Sequence, residues 1–491
     1  MFDVNKILEM SISLTAEHDY NKILEKTVTC AMELTNCEGG TLYLFRENRL
    51  EFMIMRNIDP EVQRRGGTVP PLELDETKVC AYSAIHRELV NVPDVYAENT
   101  GFDFSGPKEY DKVFGCHTKS MLAFPLINHE EKLIGVAQLL NARNPEGELI
   151  SFTAEHETLI RALASMAAVS LSNMQYVSQI KQLLHSIVNV FTNAIDARTP
   201  YNYYHSRHVH DLVVDFMDYC NEKPEKAGIG LQFDAEHREE LELTAMMHDI
   251  GKLVTPLEVM NKETRLAGRL ETVLARLRYI RALKRIAYLE GSCTKEEYEA
   301  EADYIAEMLE LIQQINAAGF LEDETIAKIK RLAEREYEDT DGERYSYITK
   351  EETVCLMIKK GTLTEDEREI MKQHVVFTER FLSAMNFDEH YKNVRTWASL
   401  HHELLNGSGY PGGLTEKDLP FEVRLITVAD VYDALTSDDR PYKKPHSREA
   451  AFAILGHMAD DGQIDGKVLS VFKKAVLWKE AEKNNGKEAK K

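Results

Sequence analysis

The sequence lacks the features of membrane-inserted and secreted proteins. It contains no run of roughly eighteen apolar residues, which is about the minimum for a helix that spans a bilayer. Its first residues, MFDVNKILEMSISLT, have no basic stretch followed by an apolar run, so they do not match a secretory signal. The seven cysteines form no C-x-x-C pair, and their odd number suits a reducing compartment. These absences predict a cytoplasmic protein.

Positive charge is scarce relative to negative charge. The 491 residues include 59 Lys and Arg against 82 Asp and Glu, which gives a formal net charge of −23 at pH 7. This charge repels phosphate backbones and anionic lipids, so it argues against nucleic acid or a membrane as a partner. A small anionic nucleotide stays compatible, because bound metal ions can reverse the field locally. A chain of this length also exceeds one hydrophobic core, which predicts a multidomain protein.

The first 170 residues have the pattern of a mixed α/β domain. A helical opening is predicted from Asn5 to about Leu34, followed by the strand-like segments GGTLYLF and LEFMIM. The strongest strand signal is SMLAFPLI, then the turn NHEEK, then LIGVAQLLN. A helical pattern begins near Phe152 and continues to about Ala197.

The segment 171–197 carries an apolar stripe. The residues Val177, Ile180, Leu184, Ile187 and Phe191 are spaced 3, 4, 3 and 4 apart, as along the seam of a two-helix coiled coil. Two interpretations are open: a linker helix that pairs with a second copy in a parallel homodimer, or a helix packed on its own domain.

From residue 198 to about 480 the apolar residues recur at helical spacing. Residues 263–359 differ from the rest, since they are rich in charge that is first basic and then acidic. Apolar residues persist there, which predicts helices and not disorder. One interpretation is a solvated helical hairpin, and the other is a lid over a site or a docking element. Residues 481–491 are a polar tail.

The C-terminal region concentrates His and Asp among apolar residues. His248 and Asp249 are adjacent, as are His401 and His402, and Asp430 lies in the apolar run RLITVADVYDAL. Neighbours on a helix point about 100° apart, so two of them reach one site only near a helix end. A carboxylate and imidazoles suit a bridged metal pair. The residues alone leave open a dimetal hydrolase or a set of hydrogen-bonded core side chains.

The segments HDIGK, HHELLNGSGYP and ADVYDALTS resemble, in this order, the HD-GYP family of metal-dependent phosphodiesterases. The resemblance implies an all-α HD-domain bundle over 198–480, with residues 263–359 as an insertion. It also implies two divalent metal ions, iron or manganese. The implied metal ligands are His205, His248, Asp249, His374, His401, His402 and Asp430. The implied catalytic residues are His248, Asp249 and Lys252, and the implied substrate contacts are Lys252, Tyr410, Arg440 and Lys443.

The activity that the resemblance implies is hydrolysis of cyclic di-GMP to linear pGpG and then GMP. Alternatives are hydrolysis of another cyclic or linear dinucleotide, such as cyclic GMP-AMP, or a non-catalytic nucleotide-binding module. The sequence departs from the family pattern at Tyr201, where some members have a glutamate, so two metals are expected and not three. It departs again at Asn406, where aspartate is usual. The stretch DALTSDDRPYK is one residue longer than usual.

The N-terminal pattern resembles a GAF domain, an antiparallel sheet with flanking helices that senses small molecules. The segments NVPDVY, SMLAFPL and IGVAQLLN carry this resemblance over residues 1–170. A signature of cyclic-nucleotide-binding members is present only in fragments, at Asn141, Phe152 and Glu157. The ligand of this domain, and whether it activates or inhibits, stay open.

Overall fold

A computed structural model of the chain describes residues 4–17, 19–65, 71–97, 101–198, 204–437 and 445–488. The chain divides into two compact units, Met1–Leu184 and His185–Lys491. Each unit contains buried apolar clusters of its own. Within the described ranges, no helix combines the length and the apolar character that crossing a membrane requires.

The N-terminal unit is built on an antiparallel sheet, with seven strands among the described residues. The strands are β1 Cys37–Arg46, β2 Arg49–Asn57, β3 Leu72–Glu73, β4 Val90–Val92, β5 Met121–Ile127, β6 Leu133–Arg143 and β7 Leu149–Ile150. Their order is β3-β2-β1-β6-β5-β4, and β7 pairs with β6. The predicted strand–turn–strand is confirmed as β5 and β6. In the turn between them, the Asn128 side chain accepts hydrogen bonds from the amides of Glu130 and Lys132.

Helices cover both faces of this sheet. They are α1 Val4–Thr15, α2 Tyr20–Thr35, α3 Pro60–Arg65, α4 Val79–His86, α5 Ser105–Phe114 and α6 Ala154–Asp196. One face of the sheet packs against α2 and the first turns of α6, as shown by the buried cluster that includes Val28, Leu139 and Leu163. The other face forms a second cluster with α4, and a cavity of about 330 Å³ opens there beside Tyr43 and Gln138.

The opening helical pattern, expected to run from Asn5 to about Leu34, is two helices. The second begins at Tyr20, because the Asp19 carboxylate accepts hydrogen bonds from the amides of Asn21 at 2.9 Å and Lys22 at 3.1 Å. This N-cap starts a new helix, and the apolar periodicity does not reveal it because both helices bury one face.

The predicted long helix is α6, which has 43 residues. Among the described residues, four residues of the predicted stripe, Val177, Ile180, Ile187 and Phe191, are 50%, 66%, 41% and 41% exposed, and the fifth, Leu184, is partly buried. The described residues of the two units therefore leave most of this stripe uncovered.

The C-terminal unit is helical apart from a short hairpin. Its helices are α7 His205–Glu222, α8 Pro224–Ala227, α9 Ala235–Met247, α10 Leu257–Met260, α11 Leu270–Leu289, α12 Lys295–Asn316, α13 Asp323–Ala333, α14 Lys350–Leu356, α15 Glu365–Ser383, α16 Val394–Ser399, α17 Phe421–Thr436, α18 Arg448–Asp460 and α19 Gly466–Glu488. The hairpin strands are β8 Glu336–Glu338 and β9 Arg344–Ser346. A core centred on α7, α9 and α17 includes Val213, Phe216 and Val428, each fully buried.

Helices α11 to α14 and the hairpin form a subdomain with its own buried cluster, which includes Leu277, Ile312 and Leu356. The predicted helices are present, but they number more than the two of a helical hairpin. The two ends of the segment meet, since the Thr362 hydroxyl donates to the Lys262 carbonyl at 2.9 Å. The Lys262 ammonium also contacts the Glu367 carboxylate at 2.7 Å.

We expect Gly135→Ala to destabilise the N-terminal unit. A Cβ atom at this position in β6 would lie 2.2 Å from the carbonyl oxygen of Tyr43 in β1, so the two central strands would have to separate. Overpacking of this kind costs about 1–3 kcal/mol. Thermal unfolding followed by circular dichroism measures the loss. Gly106→Ala is the control, because a methyl group there meets no described atom within 4 Å; equal melting of both variants would contradict the prediction.

Candidate metal centre

Five segments of the C-terminal unit converge on one buried point. His205 begins α7, His374 lies in α15, and Asp430 lies in α17. The two adjacent pairs each follow the end of a helix. His248 caps the C-terminus of α9, and His401 follows the residue that caps α16. The structure brings together all seven of the predicted ligand residues.

Close contacts at Gly251 explain how two of the segments approach each other. A Cβ at Gly251 would lie 1.8 Å from the carbonyl oxygen of His374, so only glycine lets this turn press against α15. The Thr378 hydroxyl accepts from the Gly251 amide at 3.0 Å and donates to the His248 carbonyl at 3.1 Å. One side chain of α15 thus fixes the turn on both sides of Asp249.

The Asp249 carboxylate divides the histidines into two groups. Its Oδ2 atom lies 3.4 Å from Nε2 of both His205 and His248. Its Oδ1 atom lies 3.4 Å from Nε2 of His374 and 3.7 Å from Nε2 of His401. The two oxygens of one carboxylate therefore face two separate sets of imidazoles, which is the arrangement of a bridging ligand.

Asp430 lies beside both sets and belongs by distance to the first. Its Oδ1 atom lies 3.1 Å from His205 Nε2 and 3.9 Å from His248 Nε2. Its Oδ2 atom lies 3.7 Å from His402 Nδ1. Within each of two trios, His205 with His248 and Asp249, and His374 with His401 and His402, the ligand atoms lie within 4.8 Å of one another.

Backbone carbonyls orient three of the imidazoles. Nδ1 of His248, His374 and His401 lies 2.7 Å from the carbonyl oxygen of the residue three positions earlier in each case. Nδ1 therefore carries the proton, and the bare Nε2 atom points into the centre.

Four ligand atoms at the centre are buried without a hydrogen-bond partner among the described residues. They are Nε2 of His248, His374 and His401, and Oδ1 of Asp249. A buried polar atom without a partner costs about 1–3 kcal/mol, and such atoms are rare in folded proteins. Four of them converging on one point fit a cation as the missing partner.

The protonation states also suit a cation. Burial lowers the pKa of His374 to about 4, and burial holds the pKa of His401 well below its ordinary value, so both rings are neutral at pH 7. Burial alone would raise the pKa of Asp249, but Lys252 and His248 outweigh it and hold that pKa far below its usual range. His374 and His401 are thus neutral and Asp249 is ionised, which are the donor forms that divalent ions bind. His205 differs: burial opposes its protonation, but hydrogen bonds to Asp249, Asp430 and Asp433 raise its pKa, so a metal ion bound there would displace a proton.

Two residues that the sequence analysis did not single out support His205. The Asp433 carboxylate lies 2.7 Å from His205 Nδ1 and 3.2 Å from His208 Nδ1. Asp433 is 4% exposed and stands one helical turn after Asp430, as His208 stands one turn after His205. The i, i+3 spacing of acids and histidines was the available signal.

The loop that carries Tyr410 is held by Glu403, whose role the sequence analysis also did not identify. The buried Glu403 carboxylate accepts from the amides of Gly412 and Leu414. The Tyr410 ring lies against the His402 ring, with centroids 4.9 Å apart. Burial raises the pKa of Tyr410, so its hydroxyl is a hydrogen-bond donor at neutral pH.

The predicted phosphate contacts have different outcomes. Lys252 lies at the centre, with Nζ 2.5 Å from Asp249 Oδ2. Arg440 and Lys443 lie outside the described residues, as does Tyr201.

Asn406 stands where the family that the sequence resembles usually has aspartate. Its side-chain oxygen accepts hydrogen bonds from the Ser408 amide at 3.1 Å and from the Ser408 hydroxyl at 2.6 Å. A carboxylate would accept both bonds equally well.

In the N-terminal unit, the signature fragments make internal contacts. Asn91 donates to the Phe152 carbonyl at 2.9 Å and to the Glu157 carboxylate at 2.8 Å. Asn141, at a positive φ of 62°, bonds to Glu38 and to the His117 carbonyl. These residues hold strands and helix together, and none of them lines the cavity beside β1.

Comparison with known proteins gives a domain assignment for each unit. A family model described as a GAF domain matches residues 19–171, and one described as an HD domain matches residues 350–468. The chain therefore contains a GAF domain and an HD domain. The HD match includes His374, His401, His402 and Asp430; the other predicted ligand residues, His205, His248 and Asp249, precede residue 350 and lie outside the match.

Curated relatives align over part of the chain. A cyclic di-GMP phosphodiesterase of Thermotoga maritima is 30% identical over 188 residues, which cover 35% of this chain and 50% of the relative. The cyclic di-GMP phosphodiesterase response regulator RpfG of Xanthomonas campestris is 43% identical over 101 residues, 20% of this chain and 26% of the relative. A 3'3'-cGAMP-specific phosphodiesterase 3 of Vibrio cholerae is 32% identical over 122 residues, 25% of each chain. The chain thus spans half or less of each of these relatives.

We expect acid to destabilise the metal-free C-terminal unit through His374. The folded pKa of about 4 lies below the value of about 6.5 in an unfolded chain, so the unfolded form binds more protons in that window. Stability from this residue is present above pH 6.5 and falls by about 2 kcal/mol at pH 5. Chemical unfolding in a chelator at pH 7 and pH 5 measures it. The loss should shrink in His374→Asn and persist in the exposed control His457→Asn; an unchanged loss in His374→Asn would refute the assignment.

Proposed function

We propose that the chain is a metal-dependent phosphodiesterase that hydrolyses cyclic di-GMP to linear pGpG, with GMP as a later product. The observation that carries this proposal is the Asp249 carboxylate, whose two oxygens face two sets of imidazoles with unpartnered buried nitrogens. A single metal would need only one of these sets.

The donor atoms divide into two ligand sets. One ion would be held by His205, His248, Asp249 and Asp430, and the other by Asp249, His374, His401 and His402. Nitrogen and oxygen donors suit iron and manganese alike, and we propose these two metals on the strength of the family resemblance. When bound, such a pair polarises phosphate oxygens and supplies a water-derived nucleophile at neutral pH.

The side chains around the centre would position the phosphodiester. The Lys252 ammonium contacts the Asp249 carboxylate, so it lies close enough to the centre to bind a phosphate oxygen of the substrate. There it would stabilise the negative charge that develops on the phosphate oxygens during hydrolysis. The Tyr410 hydroxyl stays protonated, so it can donate to the substrate. The buried histidines keep bulk water away from the reacting phosphorus, which strengthens both contacts.

The choice of cyclic di-GMP rests on two relatives whose names specify it. A second candidate is 3'3'-cGAMP, because a relative specific for that dinucleotide is 32% identical to part of the chain. The strong negative charge of the chain favours a small substrate that the metal ions can neutralise over a long polyanion. All seven cysteines are free thiols, so we place the reaction in the cytoplasm.

We expect Asp249→Ala to abolish hydrolysis, because it removes the shared ligand of both metal sets. Purified protein, loaded anaerobically with ferrous or manganous ion, is incubated with cyclic di-GMP or 3'3'-cGAMP, and the products are separated by chromatography. The variant should retain less than about 1% of wild-type turnover and should bind less metal. Asp460→Ala, which removes an exposed carboxylate, is the control.

Two outcomes would contradict the proposal. Turnover by Asp249→Ala at the rate of the control would overturn the site. Wild-type protein with two bound metals per chain that cleaves neither dinucleotide would overturn the substrate class and favour a nucleotide-binding module.

We propose that the GAF domain regulates this activity through a small-molecule ligand in the cavity beside Tyr43 and Gln138. The cavity of about 330 Å³ has apolar walls, with Lys78 and Asp103 paired at α4 and α5. We also propose that the chain is a parallel homodimer joined through the exposed stripe of α6, since the 3, 4, 3, 4 spacing keeps one seam facing a second helix.

We expect the double substitution Ile180→Glu and Ile187→Glu to convert a dimer into single chains. These side chains are 66% and 41% exposed in the chain, so the charges do not disturb its own core, but they repel each other across a parallel seam. Sedimentation equilibrium measures the mass. Gln182→Glu, on the opposite face of α6, should stay dimeric; a single-chain mass for the wild type would refute the proposal.

A further inference from the structure

The last turns of α6 pack against the segment that carries His248 and Asp249. Within the C-terminal unit, Val188, Thr192 and Ile195 form a buried face of this helix, at 2%, 2% and 5% exposure. The Thr192 hydroxyl donates to the Met246 carbonyl at 3.2 Å. This contact lies two residues before His248.

Arg198, just beyond the end of α6, makes the second contact. Its Nη1 atom donates to the Lys252 carbonyl at 2.8 Å and also to the Leu253 carbonyl. Its Nη2 atom donates to the Thr255 carbonyl at 3.0 Å. The rigid, planar guanidinium thus binds three carbonyls: two of the short 3-10 turn Ile250–Val254, and that of Thr255, the residue that ends the turn.

These contacts lie on both sides of His248 and Asp249 in the chain: Thr192 contacts the segment before this pair, and Arg198 contacts the turn after it. The carbonyls at the end of a helical turn carry partial negative charge, so a guanidinium stabilises that end and fixes its direction. Lys252 belongs to the gripped turn, and its ammonium lies on Asp249 Oδ2. The Lys252 ammonium thus places a positive charge against this carboxylate, and the position of the Lys252 backbone decides where that charge lies.

We propose that Arg198 is a positioning residue for Lys252, and that through it the end of α6 sets the geometry of the reaction. This inference rests on the proposed phosphodiesterase function. Arg198 touches no reacting atom; it acts by holding the backbone from which Lys252 reaches the substrate phosphate. A movement of α6 along its axis would pull on the turn through Arg198 and on Met246 through Thr192, and would shift Lys252 relative to Asp249.

A double-mutant cycle tests the coupling. Arg198→Ala should lower kcat/KM for cyclic di-GMP about tenfold to a hundredfold, because small misplacements of a catalytic group have effects of this size. In a Lys252→Ala background the same substitution should change kcat/KM by less than about threefold. Arg198→Lys keeps the charge but not the fork, and should fall between Arg198→Ala and the wild type. Metal content should stay at the wild-type level.

Arg424→Ala is the matched control. Arg424 also grips backbone carbonyls, those of Leu419 and Glu416, but does not contact the turn that holds Lys252. Its effect on kcat/KM should be the same with and without Lys252. If Arg198→Ala behaves in the same additive way, or has no effect, Arg198 does not act through Lys252 and the inference is overturned.

Hydrogen exchange of the wild type and Arg198→Ala separates this inference from the proposed function. The amides of Lys252 and Thr255, which donate to the carbonyls of Asp249 and Lys252, should exchange faster in the variant. Exchange equal to the wild type overturns the inference. Absence of turnover of both cyclic di-GMP and bis(p-nitrophenyl) phosphate by the wild type overturns the proposed function. Faster exchange in Arg198→Ala would still show that the hydrogen bonds from Arg198 hold the turn in place.

Discussion

The carboxylate of Asp249 is a buried charge that faces four imidazoles and one ammonium, and the C-terminal bundle is organised around it. Its side chain is 2% exposed, so it would be costly without compensating partners. The compensation comes from four segments of the chain, which carry His205, His248 with Lys252, His374 and His401, and each delivers its group from a helix or a helix end. The Nε2 atoms of His248, His374 and His401 and the Oδ1 atom of Asp249 are buried without a hydrogen-bond partner among the described residues, and a cation would satisfy all four. The fold and the candidate chemistry therefore depend on the same carboxylate.

The two adjacent pairs satisfy this constraint only where a helix stops. Neighbours along a continuous helix diverge by about 100°, and the pairs at residues 248–249 and 401–402 both follow the end of one. Each ending is made possible by close approach at a glycine. Gly251 lets the first pair press against α15, and a Cβ at Gly409 would lie 2.3 Å from the Leu404 amide nitrogen, beside the second pair. Gly251 and Gly409 therefore allow backbone segments to approach closely, and the positions of the two adjacent pairs depend on that approach.

Much of this could be predicted from the sequence, and the rest depends on long-range contacts. The ligand residues lie in long ordered segments, so the resemblance assigned them one by one. Asp433 was missed because its partner His205 is 228 positions away; the i, i+3 spacing of Asp433 after Asp430 places it on the same helix face but does not identify that partner. Glu403 and Arg198 were missed for a related reason: they bind backbone carbonyls and amides, which any sequence offers. The break between α1 and α2 depends on a single N-cap, Asp19, inside one apolar periodicity.

Residues 263–359 separate two of the segments that meet at the candidate centre. Asp249 and His374 are not positioned by the chain that connects them, since Thr378 joins their segments directly through the Gly251 amide and the His248 carbonyl. The Lys262–Glu367 ion pair and the Thr362–Lys262 hydrogen bond then close the base of the insertion. Above that base the inserted helices bury their own cluster around Leu277 and Ile312. The entropic cost of a longer loop grows only slowly with its length, so a self-supporting segment can enter here without displacing a ligand.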